Sequence, residues 1–148
     1  MLQDNSTATK TAKQFTLAEA NAMLPLVRSI ATDIREGFRS VTGRRTDLHR
    51  MLRKGSLSSG PLYDDEIAES RADLQAEYDQ IWKYREELES LGVILRRPET
   101  GHIEFPTMLS GREAFFCWYV DDASIRFWRA ADAPSSTRKP LPDVEHHN

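Results

Sequence analysis

Cys117, His102 and Glu104 are the side chains in this sequence best suited to holding a metal or activating a nucleophile. Thiolate, imidazole and carboxylate are ordinary ligands for zinc and iron, which take three or four of them. His102 and Glu104 stand two residues apart, so on a strand both point to one face. Cys117 falls in a later apolar run and can lie on an adjacent strand, with Asp121 and Asp122 near it in sequence. Against this, no close pair such as Cys-x-x-Cys or His-x-x-x-His exists. A lone cysteine between Phe116 and Trp118 more often serves as a small buried apolar group. A thiol enzyme needs an activated cysteine beside a histidine, and catalytic groups favour loops and element ends over the middle of a strand. No catalytic residue is therefore assigned. The alternative that stays open is a metal- or small-ligand-binding protein, or an enzyme built on one, centred on Cys117, His102 and Glu104 with a divalent transition metal. His146-His147 can bind metal adventitiously, which says nothing about function.

Two further groupings could carry function. Arg44-Arg45, His49-Arg50 and Arg53-Lys54 would form a basic stripe on a helix, suited to phosphates. An acidic partner helix and a formal net charge of -3 argue against a nucleic-acid binder. Phe115, Tyr119, Arg126, Trp128 and Arg129 are of the types that dominate protein interfaces. A small sheet cannot hide both faces behind one layer of helix, so a protein interface is expected among them.

The elements that must position these residues are legible from periodicity. Thr16 and Glu19 are spaced as a capping box, opening a helix. Pro25 cannot donate to the Asn21 carbonyl, so that helix is expected to be kinked or split there. Val27, Ile30, Ile34, Phe38, Val41, Leu48 and Leu52 recur at helical spacings and lay down one apolar stripe. Residues 53–63 read as a loop, with Asp64 or Asp65 capping the next helix. That helix carries Ile67, Leu74, Ile81 and Leu88 in a heptad-like stripe, and Gly92 is placed to end it. From Arg28 to Lys54 there are eight bases against three acids, net +5; from Asp64 to Leu91 there are three bases against ten acids, net -7. Opposite charge favours an antiparallel, coiled-coil-like hairpin of the two helices.

After Gly92 the period changes to that of strands. Val93-Ile94-Leu95, then His102 to Phe105 after a turn at residues 97–101, form a first pair. Pro106 to Gly111 reads as a loop. Glu113 to Val120 is apolar on both faces and reads as a central strand, and Ile125 to Trp128 follows it. The expected fold is α+β: a helical hairpin over 16–92 packed on a small antiparallel sheet over 93–129, within one domain over 15–130. Residues 1–14 are expected to be a disordered tail and 131–148 a flexible one.

Apolar and charged contents of 39% and 29% suit a globular chain that needs no staple, and the mean hydropathy is -0.58. Met1 to Lys13 is polar, without the apolar core of a signal peptide. No run approaches the apolar length of a membrane span, and one cysteine forbids an internal disulfide. A cytoplasmic location is expected.

Several short motifs now stand in a recognisable order. They are Phe15-Thr16-Leu17-Ala18-Glu19-Ala20-Asn21 with Leu24-Pro25, then Leu91-Gly92-Val93, Glu104-Phe105-Pro106, Gly111-Arg112-Glu113, Cys117-Trp118 and Phe127-Trp128. In these the chain resembles the bacterial domain-of-unknown-function family 2203, over roughly residues 15 to 140. The resemblance implies a helical hairpin followed by a small sheet, and no established activity. The chain departs from the family pattern in three places. Glu104 stands where an aspartate precedes the Phe-Pro pair. Arg129 stands where a histidine follows the second tryptophan, and Ala133-Pro134-Ser135 replaces a glycine-containing segment. A site that relies on that histidine does not carry over to this chain.

The functional expectation is a non-enzymatic interaction module, self-associating through the aromatic sheet face or the helical stripe. Its expected partner is another protein or a second copy of itself in a homo-oligomer, with no membrane, no nucleic acid and no cofactor.

Overall fold

The computed structural model describes residues 13–54, 60–134 and 136–142. The N-terminal tail expected over 1–14 therefore lies outside the described residues except for Lys13 and Gln14, as do residues 55–59 of the inter-helix loop and residues 143–148.

Helix α1 spans Leu17–Lys54. The capping box forms in both directions: the Thr16 amide donates to Glu19 Oε1 at 2.9 Å, and the Glu19 amide donates to Thr16 Oγ1 at 3.1 Å. The helix runs unbroken through Pro25. Pro25 is solvent-exposed, so water can satisfy the Asn21 carbonyl that it leaves free. Ala20, Leu24, Val27, Ala31, Ile34 and Val41 form the buried stripe of α1.

Helix α2 spans Pro61–Ser90 and starts earlier than the aspartates suggest. Gly60 is its N-cap residue and makes no side-chain cap bond. Pro61 supplies a preset backbone angle at a position whose N–H would be unpaired anyway, while Asp64 sits in the first turn, favourably placed for the helix dipole. The loop between helices is correspondingly shorter than residues 53–63. At the other end Gly92 has φ of 95°, the left-handed stop expected of it. The helices pack closely at Gly37, where an added Cβ would lie 3.1 Å from Ile81 Cγ1.

Five strands follow: β1 (Ile94–Arg97), β2 (His102–Leu109), β3 (Arg112–Tyr119), β4 (Phe127–Ala130) and β5 (Lys139–Pro140). They pair antiparallel in chain order. One face carries Leu95, Ile103, Phe105, Phe116 and Trp118, which join Ala20, Leu24, Val27, Ala31 and Ile34 of α1 and Leu88 of α2 in the core. Arg28 ties α1 to the end of β3 by donating to the Val120 carbonyl, and its guanidinium lies 5.0 Å from the Trp118 ring. Asn21 Oδ1 accepts from the Ile125 amide at 3.0 Å.

Two segments differ from their sequence reading. Pro106 does not open a loop: β2 continues to Leu109 and the turn narrows to Ser110-Gly111, with φ of 53° and 77°. Positive φ at both residues suits a tight two-residue hairpin. Pro106 is accepted because β1 begins opposite Glu104 and pairs with nothing beyond it, leaving that flank of β2 without a pairing strand. Phe15 occupies the flank instead: its amide donates to the Pro106 carbonyl at 2.8 Å, and Thr107 Oγ1 donates to the Phe15 carbonyl at 2.6 Å. The second difference is in the segment expected as a tail after Ala130. It returns to the sheet as β5, and Leu141 is buried in the core. One apolar residue in a polar, proline-rich stretch makes no readable period, yet it is enough to anchor the segment.

Candidate functional site

The sheet face turned away from the helices carries an unusual polar centre. Glu104 on β2 stands directly opposite Cys117 on β3, and His102 directly opposite Tyr119. The period of two places all four on the same face. The Glu104 side chain is fully buried. Arg129 on β4 donates to both of its oxygens, from Nε to Oε2 at 2.7 Å and from Nη2 to Oε1 at 2.8 Å. Arg96 adds a bond from Nε to Oε1 at 2.6 Å. It reaches the carboxylate from the point where the β1–β2 register shifts between Leu95 and Arg97. The Cys117 thiol donates to Oε2 at 3.5 Å.

Each ionisable group responds to this packing. Burial alone would raise the Glu104 carboxyl, but the hydrogen bonds and charges of Arg129 and Arg96 outweigh it and hold the pKa below the ordinary value. Burial pushes the Cys117 thiol up to about 12, with the Glu104 charge and the hydrogen bond to Glu104 adding to the effect. Burial also lowers the His102 imidazole, aided by Arg97, Arg96 and Arg129 and opposed by Glu104. The resting state is thus a carboxylate, a neutral imidazole and a protonated thiol. Two guanidinium groups against one carboxylate leave the cluster with one net positive charge.

His102 is the unsatisfied member. Its ring stacks on Tyr119 with centroids 4.4 Å apart and planes 5° from parallel. Its Nε2 is buried with no hydrogen-bond partner among the described residues, 3.7 Å from Glu104 Oε2. One ligand atom from each of His102, Glu104 and Cys117 lies within 4.8 Å of the others. Asp121 and Asp122 do not join them: Asp121 pairs with Arg35 of α1, and Asp122 Oδ2 accepts from the Tyr119 amide.

Guanidinium groups cover the aromatic side chains of this face. Arg129 lies 4.7 Å from the Phe115 centroid and Arg96 lies 5.4 Å from it. Arg138 lies 5.1 Å from Tyr119 and 4.1 Å from Phe127. Phe115 and Tyr119 are half-buried, Arg129 is buried, and Arg126 is exposed just before β4. Trp128 belongs to the opposite face, directly across from Phe116 and packed against the core. The interface-type residues read from the sequence are therefore divided between two faces. Of the basic stripe, Arg44 pairs with Glu77 and Asp73 of α2.

Nothing in the sequence marks Arg96, and Arg129 is of a type expected at a protein interface. Both carry the Glu104 site. The available signal is Glu104 itself, since a carboxylate buried mid-strand calls for a cationic partner. Nothing local says which arginine supplies it.

A helical hairpin packed on a five-stranded antiparallel meander, with a guanidinium-bound carboxylate on the outer face, defines the class. The chain belongs to the family described as uncharacterized conserved protein (DUF2203), whose profile matches residues 13–141. No curated protein and no solved structure matches it.

Proposed function

We propose that this protein is a non-enzymatic interaction module that self-associates through its helical hairpin. The observation that carries this reading is how little of the hairpin is enclosed. Along α2 only Leu88 is buried, and beyond Ile34 of α1 only Val41 is. Phe38, Leu48, Met51, Ile67, Leu74, Tyr78 and Ile81 remain half-buried along the seam. Near the tip Leu52 and Leu62 are 42% and 75% exposed. Two helices can shield such a stripe from one side only, whereas four can enclose it.

A second copy is the occupant that fits. Two arms related by a two-fold axis place the basic α1 of one against the acidic α2 of the other, so the arm is complementary to itself. The outer sheet face is the weaker candidate, because Arg96, Arg129 and Arg138 already lie over its aromatic rings. The single cysteine fits action in the cytoplasm. Among the described residues no helix is long and apolar enough to cross a membrane.

Light scattering with native mass spectrometry tests the reading. The wild type is expected to be a dimer or higher oligomer. Leu52→Glu and Leu62→Glu, at positions already open to water, are expected to shift it toward monomer with helicity unchanged. Trp128→Ala is expected to leave assembly intact. A wild type that stays monomeric at the highest soluble concentration would overturn the proposal.

A further inference from the structure

The idle nitrogen of His102 and the Cys117 thiol both lie against one oxygen of Glu104, and the two residues are diagonal neighbours on adjacent strands. A metal ion bound to a thiolate at about 2.3 Å and an imidazole at about 2.0 Å spans about 4.3 Å when the bonds are collinear. A ring nitrogen of His102 lies within 4.8 Å of Cys117 Sγ, and His102 Nε2 and Cys117 Sγ both lie against Glu104 Oε2, at 3.7 and 3.5 Å, so a small adjustment brings both toward a shared ion. His102 Nε2 is a buried lone pair or N–H without a hydrogen-bond partner among the described residues, and its side chain is 4% exposed. Coordination would resolve that deficit.

The surroundings select the ion. Both oxygens of Glu104 already accept from guanidinium groups, so the carboxylate that a harder divalent ion would want is committed elsewhere. The cluster already carries one net positive charge. A divalent ion replacing the thiol proton would add another in a buried place, at a large desolvation cost. A monovalent ion replacing that proton changes the net charge not at all. Soft sulfur ligation favours copper(I) among such ions. Two-coordinate geometry also needs no open cavity.

We propose that Cys117 Sγ and His102 Nε2 together bind one copper(I) ion in two-coordinate geometry, with Glu104 held aside by Arg129 and Arg96. The ion replaces the thiol proton: the S–H bond breaks, an S–Cu bond forms, and the proton leaves to solvent with no change of oxidation state. A thiol whose pKa is near 12 resists becoming a bare thiolate, and this direct exchange of cation for proton avoids that state. The Tyr119 ring stacked on His102 holds the imidazole plane fixed for the bond.

The test uses full-length reduced protein, titrated without oxygen with copper(I) against the chromogenic chelator bicinchoninate. His146→Ala/His147→Ala serves as the background, to remove tail histidines from the count. One equivalent is expected to be withdrawn from the chelator. Cys117→Ser is expected to abolish this, and His102→Phe to weaken it about tenfold or more. X-ray absorption of the loaded protein should show one sulfur and one nitrogen neighbour. Should Cys117→Ser fail to fold, as judged by circular dichroism, the absorption spectrum of the loaded background protein decides alone. The proposal is overturned by no withdrawal of copper(I), by retention in folded Cys117→Ser, by absence of a sulfur neighbour, or by stoichiometric zinc(II) taken in preference to copper(I).

Discussion

Arg129 on β4 reaches across β3 to make two hydrogen bonds with Glu104 on β2, at 2.7 and 2.8 Å, and neither side chain is more than 5% exposed. One ion pair thereby couples three strands. Its guanidinium also donates to the Ala133 carbonyl at 2.7 Å, which fixes the turn leading to β5.

Removing one partner of that pair strands a buried charge. Arg129→Met is expected to destabilise the fold by about 3–5 kcal/mol in urea denaturation, with Arg96 left as the only cation bonded to the carboxylate. Arg129→Lys should also be costly, because an ammonium cannot reproduce the planar two-bond fork. A loss within about 1 kcal/mol for Arg129→Met would show that the pair is structurally dispensable.

Acid should destabilise the metal-free protein in two stages. The His102 pKa is depressed in the fold from an ordinary value of 6.5, so the unfolded chain takes up that proton first. The stability contributed by its neutral state is complete above 6.5 and is lost as pH falls from there toward the folded value. The Glu104 pKa is depressed from 4.5, so its contribution is complete above 4.5 and is lost as pH falls through the folded value. Denaturation midpoints measured against pH should show both stages. His102→Gln should flatten the upper one and Glu104→Gln the lower one.

The Cys117 thiol is buried, with its pKa pushed up to about 12. In metal-free native protein it is expected to resist a disulfide reagent and to react at the rate of unfolding. Fast labelling in native buffer, with the ordinary thiol pH dependence, would contradict the packing described for β3.

Two glycines should respond oppositely to alanine. Gly101 has φ of 67°, and a Cβ there would lie 2.7 Å from Val120 Cγ1. Gly101→Ala should cost about 2 kcal/mol or more. Gly43 lies inside α1 with nothing within 4 Å of an added Cβ. Gly43→Ala should stabilise by up to about 1 kcal/mol. Thermal melts of the two variants check both signs.

Much of this fold could be read locally. Thr16 and Glu19 announced the start of α1, Gly92 announced the end of α2, and the alternation at His102–Phe105 put His102 and Glu104 on one face. What escaped reading depends on distant partners. Pro106 resembles a loop residue until Phe15 is seen beside it, some ninety residues earlier in the chain. Arg129 resembles an exposed hot-spot residue until Glu104 is seen two strands away. Lys139–Leu141 looks like tail because a strand of two residues has no period to detect.

The rims of the sheet have a consequence for how the chain behaves when crowded. At one rim, β1 is four residues long, irregular in register, and ends in Arg96 and Arg97. At the other, β5 is two residues, one of them Pro140. Short length, irregularity, charge and proline each obstruct the addition of a foreign strand. Phe15 covers part of the free flank of β2, at Pro106 and Thr107. This sheet therefore offers poor seed surfaces for cross-β fibrils, and concentrated solutions should remain free of amyloid-dye fluorescence even though a third of the molecule is β-rich and aromatic.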